Sequence, residues 1–142
     1  AEYLRDHLET NFFHFNVDLA QGPCVIKRLR GCGAGCEYVA ITPEGEIYPC
    51  HQFVGNEDYK LGSLYDGTFD QELSGRFAGL NIYTREECRD CWARFYCSCG
   101  CSASNLLVNG DIKKPHRVGC ELERKRLECA IALRAIAAGM AE

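Results

Sequence analysis

Five cysteines fall between Cys88 and Cys101, in the order Cys88-x2-Cys91-x5-Cys97-x3-Cys101, with Cys99 inside the last gap. Nothing else in the chain limits the fold so strongly, because so many sulfurs in so short a stretch need a common partner. A thiolate is a soft ligand, so this density suits zinc, copper(I) or an iron–sulfur cluster, and the spacing lets several sulfurs converge on one or two small inorganic centres. Just upstream, Thr84-Arg85-Glu86-Glu87 reads as a capping box, the Thr84 hydroxyl accepting from the Glu87 amide and the Glu87 carboxylate reaching back. A helical turn is expected to begin there and to place Cys88 and Cys91 on one face. Gly100 allows the backbone to fold tightly between Cys99 and Cys101.

The chain as a whole has eleven cysteines in 142 residues. A domain of that length buries roughly two thirds of its extended surface and builds a core without staples. The cysteines therefore need an explanation in redox compartment or in metal binding. Disulfides fit poorly: the count is odd, no apolar signal segment opens the chain, and Cys97, Cys99 and Cys101 are too crowded to reach separate distant partners. No apolar run approaches the length that spans a bilayer, so a soluble, cytoplasmic protein without a membrane partner is expected. The formal net charge of −4 argues against nucleic acid as a partner, since phosphate neutralisation needs a basic face. The chain starts at Ala1, which is compatible with a fragment of something longer.

Residues 2–9 look like the end of a helix. Phe13, Phe15, Val17 and Leu19 then alternate with His14, Asn16, Asp18 and Ala20, the periodicity of a strand with one apolar face, whose partner could be a domain outside the chain. Gln21-Gly22-Pro23 breaks that strand before Cys24. Lys27, Arg28 and Arg30 follow, either as a solvated basic face or as compensation for an anionic centre. A small-residue loop, Cys32-Gly33-Ala34-Gly35-Cys36, leads into a hairpin: residues 38–41, a Thr42-Pro43-Glu44-Gly45 turn, and residues 46–50, which return Cys50 towards Cys32. Residues 51–67 read as loop, and His51 as a loop histidine. Thr68-x-x-Gln71 is expected to cap a helix with Phe69, Leu73 and Phe77 on its core face. A second hairpin is expected at Leu106-Leu107-Val108, Asn109-Gly110, Asp111-Ile112. From Cys120 onwards the chain reads as a helix with Leu122, Cys129, Leu133, Ile136 and Met140 on its apolar face, Cys129 being a buried structural thiol.

Joined together, the groups read Cys32-x12-Gly45-x4-Cys50, Cys88-x2-Cys91-x5-Cys97-x3-Cys101 and Cys120. This pattern resembles the seven-cysteine arrangement of the SPASM domain, the C-terminal extension of many radical SAM enzymes. The surrounding wording, CGAG, EYVAITPEGEIYPCHQFVG, CRDCWARFYCSCGC and RKRLECAI, is similar to SCIFF maturases, thioether-forming ranthipeptide (sactipeptide-like) enzymes that act on ribosomal peptides. The resemblance covers about residues 12–135. It implies two auxiliary [4Fe–4S] clusters with interleaved ligands, Cys32, Cys50 and Cys101 for the first and Cys88, Cys91, Cys97 and Cys120 for the second. Seven cysteines leave one of eight positions. Cys24 is the candidate, eight residues before Cys32 with Lys27 and Arg28 nearby to favour its thiolate; otherwise the first cluster keeps an open iron. The pattern has a small residue at Cys99 and no cysteine at Cys36, so those two thiols are departures from it.

The implied fold is α+β, a small irregular domain with two β-hairpins and short helices around two iron–sulfur clusters, ending in a C-terminal helix. Residues 1–23 would be a linker or strand remnant of a radical SAM barrel, residues 24–120 the auxiliary-cluster domain and residues 121–142 the terminal helix. The implied role is electron transfer and substrate positioning in thioether formation, with the barrel and a cysteine-containing precursor peptide as partners. No C-x3-C-x2-C motif occurs: Cys32-x3-Cys36 is followed by Val39 and Cys97-x3-Cys101 by Ser104. S-adenosylmethionine would therefore be bound only by the barrel, and this chain is expected to be inactive alone. A structural zinc domain with two thiolate sites and a free-standing ferredoxin-like electron carrier are the alternatives.

Overall fold

The computed structural model describes residues 6–7, 9–22 and 24–139. Most of the expected first helix, residue Pro23 of the Gly-Pro break, and Met140 lie outside the described residues. Four short strands form one antiparallel sheet in sequence order: β1 Ala40–Ile41, β2 Glu46–Tyr48, β3 Gly62–Ser63 and β4 Thr68–Phe69. The first hairpin has the expected position, with Ala40 opposite Tyr48, Ile41 opposite Ile47, and the Gly45 amide donating to the Thr42 carbonyl to close the turn. β2 then delivers Pro49 and Cys50 into the interior. Residues 51–61 contain two 3-10 turns, His51–Phe53 and Glu57–Tyr59, which place Phe53 and Tyr59 over the sheet.

Among the described residues, six α-helices accompany the sheet: α1 Val25–Arg30, α2 Gln71–Ala78, α3 Glu86–Arg89, α4 Arg94–Cys97, α5 Ser102–Asn109 and α6 Arg117–Ala137. The main core joins Ile47 and Tyr48 of β2 to Phe53, Tyr59, Leu61 and the buried side of α2. Phe53 and Phe77 meet edge-on at 5.4 Å, a favourable aromatic geometry. α2 is capped by Asp70, whose Oδ1 accepts from the Leu73 amide at 2.8 Å; Thr68, the expected cap, lies in β4 and donates to Asp66. Leu73 and Phe77 are buried as expected, but Phe69 is exposed because it precedes the helix.

The two segments read as strands at the ends of the chain are not strands. Residues Phe13–Phe15 form a 3-10 turn and residues 16–20 are irregular, held to α6 by the Arg126 Nε donation to the His14 carbonyl at 2.6 Å. The alternation is nonetheless physical: Phe15, Val17 and Leu19 are half-buried and their even-numbered neighbours exposed. The partner of that apolar face is α6, with Ala130, Leu133 and Ala137 lining the same groove. Phe13 faces solvent.

The expected hairpin at residues 106–112 is the end of α5. Gly110 has φ 71° and donates from its amide to Leu106 at 2.7 Å. The left-handed conformation that makes Asn-Gly a hairpin turn also makes it a helix C-terminus. The second hairpin of the domain is β3–β4 instead, joined by residues 64–67. α6 begins at Arg117, so Cys120 sits in its first turn. Its buried stripe runs through Leu127 and Ala130, with Leu133 and Ile136 half-buried; Leu122 is exposed and Cys129 half-buried.

Asn105 joins α5 to the start of α6. It is 2 % exposed, donates from Nδ2 to the Ile112 carbonyl at 3.3 Å and accepts at Oδ1 from the His116 amide at 2.9 Å. Asn105→Ala leaves two buried backbone groups without partners and is expected to destabilise the domain by about 2–4 kcal/mol, read as a lowered urea midpoint at unchanged slope. No helix among the described residues is long and apolar enough to cross a membrane.

Candidate metal centres

All eleven cysteines are free thiols, and the fold collects most of them into two cavities. The first is lined by Cys32, Cys50 and Cys101, with Tyr38, His51, Gln52 and Lys27 around them. Its walls come from three distant stretches: the loop after α1, the end of β2, and the residue before α5. The loop is fixed by the backbone, the Gly35 amide donating to the Tyr38 and Pro49 carbonyls at 3.0 Å and the Ser74 hydroxyl donating to the Gly35 carbonyl at 2.7 Å. The second cavity is lined by Cys88, Cys91, Cys97 and Cys120, with Cys99, Glu87, Glu123, Arg94 and Arg124. Cys97 borders both cavities.

Local geometry differs from the expected capping box. α3 starts at Glu86 with Arg85 as its N-cap and no side-chain cap, because the Thr84 hydroxyl is engaged with Gly79 and Asn81. Cys91 follows the end of α3, its amide donating to the Cys88 carbonyl at 3.1 Å, which keeps the two cysteines on adjacent positions of one wall. Between Cys97 and Cys101, Ser98, Cys99 and Gly100 have φ of 54°, 69° and 67°. This left-handed run reverses the chain, so that Cys101 reaches the first cavity four residues after Cys97 has closed the second.

The electrostatics suit an anionic occupant. Arg85 is 4 % exposed, and its guanidinium donates to the Cys99 carbonyl at 2.6 Å and to the Ser102 hydroxyl at 2.8 Å. Arg94 donates to the Cys91 carbonyl at 3.1 Å. The Nε atoms of both arginines are buried without a hydrogen-bond partner. The Cys88 thiol is pulled down to about 7, first by a hydrogen bond from Cys99 and also by the Arg85 charge, which outweigh its burial. Burial pushes Cys97 up to about 11, with Glu123 and Cys120 adding to it, and burial also raises Cys120. Burial and then the sulfurs of Cys32 and Cys50 raise the Tyr38 hydroxyl to about 12. Loading of the second cavity thus displaces protons from buried thiols, the usual coupling of metal uptake to pH. Outside the sulfurs, Gln52 Nε2 lies 3.8 Å from the Cys101 sulfur as a donor.

No group of three or more His, Cys, Asp or Glu side chains among the described residues could hold one metal ion. A structural zinc needs four ligands about 2.0–2.3 Å from a single point. The four cysteines of a [4Fe–4S] cubane each hold a different iron and stand further apart around a larger body. Several sulfurs line each cavity, and Arg94, whose buried Nε has no hydrogen-bond partner, lines the second; such a donor set fits iron–sulfur binding.

The remaining candidates separate. Cys24 is exposed at the N-terminus of α1 and is not among the residues that line the first cavity. Cys36 is exposed, its sulfur 3.4 Å from the Gly33 carbonyl, and Cys129 lies on α6 away from both cavities. Sequence reading missed Tyr38, Gln52, Arg85 and Arg94. For Arg85 a signal existed, a cation three residues before Cys88, but only the fold buries it.

Residues 32–92 match the family model of SPASM, an iron–sulfur cluster-binding domain. The match takes in Cys32, Cys50, Cys88 and Cys91 and ends before Cys97. An uncharacterized protein of Archaeoglobus fulgidus is 32% identical over 98 residues, which cover 66% of this chain and 23% of that protein. The chain therefore spans about a quarter of the length of the curated relative it matches. The family match agrees with the cysteine-lined cavities in suggesting iron–sulfur cluster binding.

Proposed function

We propose, from the premise of an iron–sulfur cluster-binding domain over residues 32–92, that the chain holds two [4Fe–4S] clusters and is the auxiliary-cluster domain of a radical SAM maturase forming thioether crosslinks in a ribosomal peptide. One observation supports the two-cluster part: Cys32, Cys50 and Cys101 line one cavity, Cys88, Cys91, Cys99 and Cys120 line another, and Cys97 borders both. Bound there, the clusters would supply one-electron transfer. The chain's own residues position and tune: Tyr38 and Gln52 contact the sulfurs of the first site, Arg85 and Arg94 place positive charge beside the second, and the short α4 separates them. The barrel, the S-adenosylmethionine it binds and the cysteine-containing peptide are the proposed partners. Iron and sulfide analysis of anaerobically purified protein tests this, with about eight irons and eight sulfides per chain expected; zinc at two per chain with no sulfide would favour the structural zinc reading.

The first site has three sulfurs from this chain, and the exposure of Cys24 favours an open fourth position. Cys24→Ala is therefore expected to retain the wild-type iron content and absorption spectrum, and an added small thiol is expected to perturb both proteins equally. Loss of the first cluster's iron in Cys24→Ala would make Cys24 the eighth ligand and the site one that passes electrons only.

A further inference from the structure

Arg85 lines neither cysteine cavity, yet it binds segments that belong to both. Its carbonyl accepts from the Cys88 amide at 3.0 Å and the Arg89 amide at 3.2 Å, which starts the turn that carries Cys88. Its side chain reaches the other way. The guanidinium donates to the Cys99 carbonyl at 2.6 Å and to the hydroxyl of Ser102, the residue after Cys101, at 2.8 Å. Both contacts fall on the reversal between Cys97 and Cys101, where Ser98 and Cys99 hold left-handed φ values that a side chain disfavours. Such a conformation persists only where its surroundings over-determine it. Gly31, next to Cys32, meets the same reversal: a Cβ there would stand 3.2 Å from the Ser98 carbonyl oxygen. Burying a guanidinium against uncharged partners is costly, and both partners of Arg85 are neutral. Arg85 is nonetheless 4 % exposed, with its Nε buried and unpartnered. For packing alone, an apolar side chain of similar volume would serve as well or better.

We propose that Arg85 is a positioning residue shared by the two sites, the brace that holds the reversal and so sets Cys97 for the second cluster and Cys101 for the first. It acts through the backbone of Cys99 and the side chain of Ser102 and touches neither cluster. A ligating cysteine serves one site, whereas this brace serves both, so its removal weakens iron binding at both together. Groups that orient metal ligands in this way account for about 10–100-fold in metal affinity.

The inference rests on the two-cluster reading, and the test separates them. The 142-residue chain is loaded anaerobically with iron and sulfide, and removal of iron by a chelator is followed by electron paramagnetic resonance of the reduced protein. The signal that Cys91→Ser abolishes belongs to the second site and the signal that Cys101→Ser abolishes to the first. Arg85→Ala is expected to lose both signals at roughly tenfold lower chelator concentration than wild type. Methylguanidinium added during loading is expected to restore both in Arg85→Ala and to leave wild type unchanged. Ser98→Gly, which removes strain from the reversal, is expected to recover iron retention at both sites in the Arg85→Ala background. Arg85→Lys, which keeps a donor for one of the two oxygens, is expected to show the same joint loss in smaller measure, and it carries the test if Arg85→Ala does not fold. Loss confined to one signal overturns the inference, as does unchanged iron retention. A loss that Ser98→Gly does not recover also overturns it, since Arg85 would then support the fold at large rather than the reversal. A wild-type chain that takes up no iron, or shows a single signal, overturns the two-cluster reading and this inference with it.

Discussion

Cys91→Ser is expected to cost the chain about half of its iron, roughly four of eight atoms, while the cluster at Cys32, Cys50 and Cys101 persists. Cys91 lines only the second cavity, together with Cys88, Cys97 and Cys120. A serine oxygen is a harder and more weakly binding ligand for iron than a thiolate, and the three remaining sulfurs come from separate elements, α3, α4 and α6, that a missing corner no longer ties together. The partner experiment is Cys101→Ser, which should give the complementary loss, although Cys101 is only four residues from Cys97. Iron and sulfide counts with spectra of the two single variants and the double variant measure this. If Cys91→Ser and Cys101→Ser deplete the same cluster, or if either one empties both, the interleaved assignment fails.

Gly62→Ala is expected to be the most damaging single methyl in the sheet. Gly62 has φ 148°, and an added Cβ would stand 2.1 Å from the Thr68 carbonyl oxygen and 2.6 Å from its carbon. Those are backbone atoms of the paired strand, so no rotamer change relieves the clash. Gly62 pairs with Ile47 on one side and Phe69 on the other, which places the damage at the centre of the four strands. Disfavoured φ and overpacking together give about 3–5 kcal/mol, a large fraction of a small domain's stability. The consequence for function follows from β2: it leads to Cys50, so the first cavity should lose order before the second. Urea unfolding of the variant measures the stability loss, and its iron content after loading is expected to fall first at the first site. A midpoint within error of wild type would mean that the strands separate more easily than their hydrogen bonds suggest.

The clustering of the cysteines was legible in the sequence because their spacing is a property of the covalent chain. The gaps between Cys88, Cys91, Cys97 and Cys101 fix which sulfurs can meet, and the first hairpin follows from proline and glycine in one four-residue turn. The terminal helix is equally local, a long run of helix formers with an apolar stripe. Where local signals are degenerate, sequence reading went astray. Asn109-Gly110 supports either a hairpin or a helix end, and the choice fell to Asn105, whose side chain bonds across to Ile112 and His116 once α5 is formed. The alternation at Phe15, Val17 and Leu19 records one buried face without recording what buries it; α6 does so, over a hundred residues later in the chain. Thr84 matched a capping box, yet its hydroxyl found partners at Gly79 and Asn81 in the preceding turn.

Residue order alone raised the expectation that the cysteines serve metal binding, since thiolate softness does not depend on the fold, and the division into Cys32, Cys50 and Cys101 against Cys88, Cys91, Cys97 and Cys120 came with the family resemblance. Tertiary structure alone decided the environment of those sulfurs. It buried Arg85 against the carbonyl of Cys99, left Cys24 at the surface, brought Tyr38 to Cys32 and Cys50, and packed Cys99 into one buried cluster with Cys88. Burial and the distance between charges are set by packing among distant segments, and no spacing rule along the chain carries that information.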